Sequence, residues 1–189
     1  MRIIEMFVDQ TIDESGVDAV SVVENPAIEL DFLALKKQKP IKLAEIDKEK
    51  RILMGAALVP NKPIYRERDG EEFYIYFSKS TVRKASELFF KRGYQSNTTE
   101  EHKIKLNNNT VVESWIKEDD THDKSVKYGL SAPIGTWFIS LKVEDADIYE
   151  KAKNGTLKGF SIEGYFTDQS KLSQSEDEIL IEKIKQILE

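Results

Sequence analysis

The chain has 189 residues, of which 40% are hydrophobic and 33% charged, so we expect one domain with a substantial core. Its formal net charge of −6 disfavours nucleic-acid binding, which normally requires a basic face. It contains no cysteine, which excludes disulfides, thiolate metal sites and cysteine nucleophiles. No apolar run approaches the roughly 20 residues of a membrane-spanning helix, so we expect no membrane partner.

The N-terminal half is predicted to alternate strands with polar connections. Apolar, β-branched runs predict strands at 3–8, 17–23, 51–59 and 72–78. The highly charged segment 29–50 is predicted to be a mobile connection. Residues 60–70, with two prolines and a glycine, are predicted to be a long exposed loop. A helix is predicted over 79–92, between the capping residue Ser78 and Gly93.

The C-terminal half is predicted to begin with a hairpin. Its strands would be 102–106 and 110–117, joined by three asparagines that tolerate positive φ. A polar loop is predicted next, and then two strands around a short helix. The ranges of these four elements are 118–135 for the loop, 136–143 and 157–166 for the strands, and 145–153 for the helix. The segment 171–189 is predicted to be an amphipathic helix, with Ser175 and Glu178 as its capping box.

These elements predict a mostly β fold of the α+β class. About seven strands and three helices, with mostly short turns, favour an antiparallel or mixed β-barrel surrounded by helices. Residues 1–170 would form this domain, and the helix in 171–189 would be appended to it.

The chain has only two histidines, His102 and His122, which limits the candidates for a general base. Strand alternation places His102 on the same face as Ile104 and Leu106, at the rim of an apolar surface. Partial desolvation there suits a general base, although an ordinary edge histidine fits the same pattern. A metal site that combines His102 and His122 with Glu101 and Asp123 lacks any recognised ligand spacing, so no metal or other cofactor is predicted.

Ser161 in the segment GFSIEG is the candidate nucleophile. Alternation puts Ser161 and Glu163 on one face of the strand. Gly159 and Gly164 flank it, and glycine in a strand often marks the close approach of a ligand, so both are candidate substrate-binding residues. An ordinary half-exposed serine fits the pattern too. The segment is not a G-x-S-x-G elbow, which argues against an α/β-hydrolase.

A third residue would orient the histidine, and the sequence leaves its identity open. With a two-residue turn in the predicted hairpin, His102 lies opposite Glu113, whereas a three-residue loop places it opposite Ser114. Glu113 is the first choice. Asp168 and Glu163 are the alternatives.

The chain resembles the phage prohead (capsid maturation) serine proteases, most closely the XkdF-like group. The matching stretches follow the expected order along most of residues 17–166: VDAVSVVENPAI, RILMGAALVPNKPIYR, EFYIYFSKSTVRKASELFF, EEHKIKL, VVESWI, PIGTWFISLKV and NGTLKGFSIEGYF. The resemblance implies a fold similar to the herpesvirus maturation protease, a barrel of about seven strands. It maps the family's histidine onto His102 and its serine onto Ser161.

The resemblance also implies a function. A serine endopeptidase of this group would act in the host cytoplasm, inside the procapsid, on the scaffold protein and the major capsid protein. It would also cut itself, and a homodimer is conceivable. The alternative is a catalytically inactive, capsid-associated or scaffold-like domain of the same fold.

Overall fold

Strands dominate residues 2–27, 33–34 and 50–168, the part of the chain that this computed structural model describes. The strands are β1 (Arg2–Phe7), β2 (Gly16–Val23), β3 (Leu33–Ala34), β4 (Ile52–Leu58), β5 (Ile64–Arg68), β6 (Glu71–Phe77), β7 (Thr98–Glu100), β8 (Ile104–Leu106), β9 (Asn109–Ile116), β10 (Trp137–Val143), β11 (Gly159–Tyr165) and β12 (Thr167–Asp168). The helices are α1 (Lys79–Lys91), α2 (Lys124–Lys127) and α3 (Ala146–Lys153). The predicted mostly β class with a few helices is confirmed.

The strands form three four-stranded sheets. The first has the order β12-β1-β6-β5 and the second β3-β4-β10-β9. The third has the order β11-β2-β7-β8 and is called the site sheet below. The three sheets do not close into a barrel over the described ranges, so the predicted barrel is not confirmed.

The segment predicted as a long exposed loop, 60–70, contains a strand instead. Its residues 64–68 form β5, which pairs antiparallel with β6. Asp69 and Gly70 turn the chain between the two strands with φ of 56° and 79°. Two consecutive positive φ values give the tight turn that suits a hairpin, and Asp-Gly is a preferred sequence for it. The charged residues of β5 are tolerated because this strand is an edge of its sheet.

The predicted hairpin of 102–106 with 110–117 is wrong. β8 pairs with β7, and β9 pairs with β10 in another sheet. The three asparagines therefore connect two sheets, and Asn109 is the first residue of β9. β7 was not predicted, because its sequence TTE is short and polar. His102 consequently lies in the turn between β7 and β8, and not in a strand beside Ile104.

Helix α1 agrees with its prediction. The Ser78 hydroxyl caps its start, and Gly93 follows its end with a φ of 75°. Phe89 is fully buried on this helix, and its ring contacts Trp137 of β10 with centroids 5.5 Å apart. α1 also contacts β2, so it joins the site sheet to the second sheet. The polar loop predicted at 118–135 contains the short helix α2. None of the helices in the described ranges is both long enough and apolar enough to cross a membrane.

One predicted segment lies largely outside the described residues, and a second lies entirely outside them. The connection at 29–50 is described only at Leu33–Ala34, which pairs with β4, and at Lys50. The helix predicted within 171–189 lies entirely outside.

Gly164 allows β11 to approach β2 closely. The register of the two strands shifts between Glu163 and Gly164, where Gly164 has a φ of 158°. A Cβ atom on Gly164 would lie 2.0 Å from the carbonyl oxygen of Gly16. The sequence predicts that a ligand approaches Gly164 closely. In the structure, the close neighbour is instead the Gly16 backbone of the same sheet.

Replacing Gly164 with alanine should destabilise the fold by about 2–4 kcal/mol, because backbone would have to move away from the new Cβ. Urea unfolding followed by circular dichroism measures this loss. Gly155→Ala is the matched control: Gly155 has a φ of 83° but nothing within 4 Å of the new Cβ. It should cost only about 1 kcal/mol. Equal losses in the two variants would contradict the assignment of the contact.

Candidate active site

The site sheet places Ser161 and Glu163 on one face with residues of its other strands. Ser161 of β11 pairs with Ser21 of β2, and Ser21 pairs with Thr99 of β7. Neighbours in register share a face of a sheet, and residues two apart on a strand do as well. Ser161, Glu163, Ser21 and Thr99 therefore project to the same side.

The opposite face of this sheet is part of the hydrophobic core. Phe160, Val20 and Val22 lie on it and are completely buried. This burial fixes which face of β11 and β2 points inward. The hydroxyl and carboxylate side chains of the other face are thereby directed away from the core.

The turn that carries His102 is attached to β2 by hydrogen bonds. The Glu101 N–H donates to the Val22 carbonyl oxygen at 3.1 Å, and the His102 N–H donates to the Ser21 hydroxyl at 3.0 Å. The Glu24 N–H also donates to the Glu101 carboxylate at 2.5 Å. Glu101 and His102 have φ of 51° and 56°, a conformation that is uncommon for residues other than glycine. The three bonds hold this turn in place above the sheet.

The His102 ring contacts Glu163. Its Nδ1 atom lies 3.2 Å from Oε1 of Glu163, and Thr99 Oγ1 donates a hydrogen bond to the same oxygen. The side chains are partly exposed, 41% for His102 and 29% for Glu163, so solvent and a substrate can reach them. A carboxylate only accepts hydrogen bonds, which assigns a proton to Nδ1. In the neutral ring, Nε2 is then an acceptor.

Ser161 and the His102 ring share this face without touching. Within the described ranges, neither the Ser161 hydroxyl nor His102 Nε2 has a hydrogen-bond partner. One strand, β2, separates the backbone of Ser161 from that of Thr99. Catalytic hydrogen bonds are often long or poorly aligned in enzymes without substrate and tighten when substrate binds. This face therefore holds a serine hydroxyl and an imidazole whose Nδ1 contacts a carboxylate.

Glu113, the first choice for the third residue, lies in a different sheet. On β9 it accepts hydrogen bonds from Lys124 Nζ and Ser140 Oγ, both at 2.5 Å. These two donors lower the pKa of the Glu113 carboxyl below its ordinary value. The cause of the misplacement is the wrong hairpin, since β9 pairs with β10 and not with β8. The carboxylate that contacts His102 is Glu163, one of the two alternatives.

The remaining candidates lie elsewhere. Asp168 is in β12 of the first sheet, where it pairs with Arg2 at 3.6 Å. His122 is in the loop after β9, and its Nδ1 lies 3.4 Å from Asp119. The structure thus does not bring the two histidines together. In the described part of the chain, no group of three or more metal-ligating side chains is arranged around a common point.

A cavity of about 270 Å³ adjoins Ser161 where the three sheets meet. Its lining includes Gly164, while Gly159 is buried and pairs with Val23. Most of the lining is apolar, with Arg66 as its charged member. β11 forms the edge of the site sheet, so both the backbone of Ser161 and this cavity lie beside a sheet edge.

A serine hydroxyl, an imidazole and a carboxylate are the groups that serine hydrolases use, and this sheet face bears one of each. The chain belongs to the family described as "Putative phage serine protease XkdF", whose model matches residues 41–169. The match includes His102, Ser161 and Glu163, and the resemblance to phage serine proteases is confirmed. No curated protein and no solved structure matches the chain.

Two residues of the site, Ser21 and Thr99, were not singled out from the sequence. Ser21 is completely buried, and its hydroxyl donates to the Thr99 carbonyl oxygen while it accepts from His102. The only available signal was a serine inside an otherwise apolar strand, VDAVSVV. A buried hydroxyl needs a partner, but the sequence does not say which segment supplies it.

Ser21→Ala should lower the free energy of unfolding by about 1–3 kcal/mol, because the His102 N–H would lose its acceptor inside the fold. Urea unfolding measures the loss. Ser161→Ala is the matched control on the paired strand: its hydroxyl has no partner within the described ranges, so the change should stay within about 0.5 kcal/mol. A Ser21→Ala protein as stable as the control would show that the turn does not depend on this bond.

Glu113 should make stability depend on acidic pH. Its pKa is lowered in the folded protein, so its contribution is present above the ordinary value of 4.5 and is lost as pH falls through the folded pKa. Glu113→Gln should therefore melt below the wild type at pH 7, and the gap should shrink in acid below pH 4.5. Melting temperatures across this range test it. The exposed Glu14, changed to Gln, is the control and should show no such gap; a constant gap for Glu113→Gln would contradict the prediction.

Proposed function

We propose that this protein is a serine endopeptidase in which Ser161 is the nucleophile, His102 the general base and Glu163 the orienting carboxylate. The contact between His102 Nδ1 and Glu163 Oε1 carries the proposal. It fixes the ring with Nε2 available for a hydroxyl, on the sheet face that also bears Ser161. Membership of the phage serine protease family supports the same chemistry.

The proposed reaction is acyl transfer. Ser161 Oγ attacks the carbonyl carbon of the substrate peptide bond while His102 Nε2 takes the hydroxyl proton. The ring then gives this proton to the leaving amine as the carbon–nitrogen bond breaks. Water attacks the acyl-enzyme by the same route and releases the acid product. Glu163 stabilises the positively charged ring during both steps, and Thr99 keeps the carboxylate in position through its hydrogen bond.

The edge position of β11 suits an extended substrate. An edge strand offers backbone N–H and C=O groups to a peptide that pairs as an additional strand. Such pairing would bring the peptide bond alongside Ser161. Segments of scaffold and capsid proteins in an extended conformation could be held in this way.

The biological role that we propose is maturation of the phage procapsid. The substrates would be the scaffold protein, the major capsid protein and the protease itself, within the procapsid in the host cytoplasm. A homodimer and a fold relationship to the herpesvirus maturation protease remain parts of this proposal.

Substitutions of the three proposed catalytic residues should reduce cleavage, whereas substitution of a carboxylate outside the site should not. Ser161→Ala and His102→Ala should abolish cleavage, because the nucleophile or its base is absent. Glu163→Gln should lower kcat by about 10²–10⁴-fold, since an amide cannot hold the ring in the required protonation state. The assay is co-expression with the scaffold and capsid proteins of the same phage, followed by intact-mass measurement, and purified peptides then give kcat.

Glu113→Gln is the matched control, since it removes an equivalent carboxylate from another sheet and should leave kcat within about twofold. Cleavage that persists in Ser161→Ala or His102→Ala would refute the assignment. A Glu113→Gln defect as large as that of Glu163→Gln would transfer the orienting role to Glu113. If the wild type neither cuts nor reacts with a fluorophosphonate at Ser161, the protein is the inactive capsid-associated domain.

A further inference from the structure

The cavity beside Ser161 is suited to an apolar side chain. Its walls come from all three sheets and lie on the core side of β11, opposite to the Ser161 side chain, so a peptide paired with this strand would reach the cavity with the side chain next to the cut bond. The walls are formed mainly by Met6, Leu58, Phe77, Phe160, Ile162 and Phe166. Its volume of about 270 Å³ equals that of roughly nine water molecules, which is enough for a leucine or phenylalanine side chain. Moving such a side chain out of water into this cavity would contribute about 1.5–3 kcal/mol to binding.

A second cavity continues from the first and is basic. The two share Ala27, Ile64 and Arg66, so they form one groove. In the described lining of the second cavity, Lys62, Arg66 and Lys158 are the cations, and Glu24 is the one anion. Arg66 and Lys158 thus place positive charge along this groove, on a chain whose formal net charge is −6.

Arg66 stands at the junction of the two cavities. Its Nη1 donates to the Tyr65 carbonyl oxygen at 2.9 Å, and no carboxylate contacts it within the described ranges. The residue is exposed to solvent, and the partial desolvation of its guanidinium lowers the pKa of that group. A guanidinium with no carboxylate contact can bind a carboxylate ligand with two parallel hydrogen bonds.

We infer that this groove selects the substrate sequence: an apolar residue next to the cut bond occupies the cavity beside Ser161, and an acidic residue a few positions away binds Arg66. The inference rests on the proposed function for its site and names the substrate class, an extended peptide that carries both residue types. The groove would disfavour peptides with a basic residue at the second position, because that residue would lie next to the positive charge of Arg66.

Binding to the Ser161→Ala protein tests this inference without any need for catalysis. The probes are fluorescein-labelled peptides with one leucine and one glutamate in a glycine-serine background, the spacing between the two varied from one to five residues. Fluorescence anisotropy should show at least tenfold tighter binding at the best spacing than for the same peptide with glutamine or lysine. Replacing the leucine with serine should also weaken binding about tenfold.

Changes at Arg66 should shift this preference. Arg66→Ala in the Ser161→Ala background should remove the preference for glutamate, and Arg66→Glu should reverse it in favour of lysine. Arg68→Ala is the matched control on the same strand; its side chain is 79% exposed and lines neither cavity. It should leave binding unchanged. Circular dichroism confirms that each variant is folded.

The two hypotheses fail in different ways. Equal affinity for the glutamate, glutamine and lysine peptides, or no binding by any of them, would overturn the groove assignment even if the wild type cuts proteins. An equal loss in Arg68→Ala would also overturn it, because the effect would then be one of general charge. If the predicted preference holds while the wild type cuts nothing, the groove assignment stands and the endopeptidase proposal fails.

Discussion

The candidate site depends on the hydrogen bond from the His102 N–H to the Ser21 hydroxyl. His102 belongs to a short turn with an uncommon backbone conformation, and a turn of this kind has little stability of its own. Ser21 is completely buried in β2, so it provides a rigid point of attachment. Because Ser21 is also the partner of Ser161 in the sheet, one strand sets the positions of both proposed reactive groups.

Local structure could be predicted from the sequence, whereas contacts between residues far apart in the chain could be predicted less well. Alternation along β11 correctly grouped Ser161 with Glu163, because the period of two is a property of any strand. Helix α1 was predictable from its apolar spacing and its cap. The position of His102 was not predictable from the sequence. The three residues of β7 are too few to show a strand pattern, and the pairing partners of β8 and β9 are set by contacts between residues far apart in the sequence.

The choice of Glu113 over Glu163 illustrates the same limit. Glu113 lies opposite His102 only if strands that are adjacent in the chain pair with each other, which is common but does not occur here. Glu163 was already next to Ser161 on the same face, and only the folding of the β7–β8 turn over β2 brings the ring to it. Glu163 was thus already among the residues that the sequence proposes, while its contact with His102 depends on the strand order β11-β2-β7-β8.

The contact between Gly164 and Gly16 fixes the register of β11 against β2. A slip of β11 by a single residue would turn the Ser161 hydroxyl towards the core and Phe160 towards solvent, since successive side chains alternate. The tight backbone approach at the two glycines allows only one alignment of these strands. A packing contact between two backbones thus decides which side chains of β11 face the candidate site.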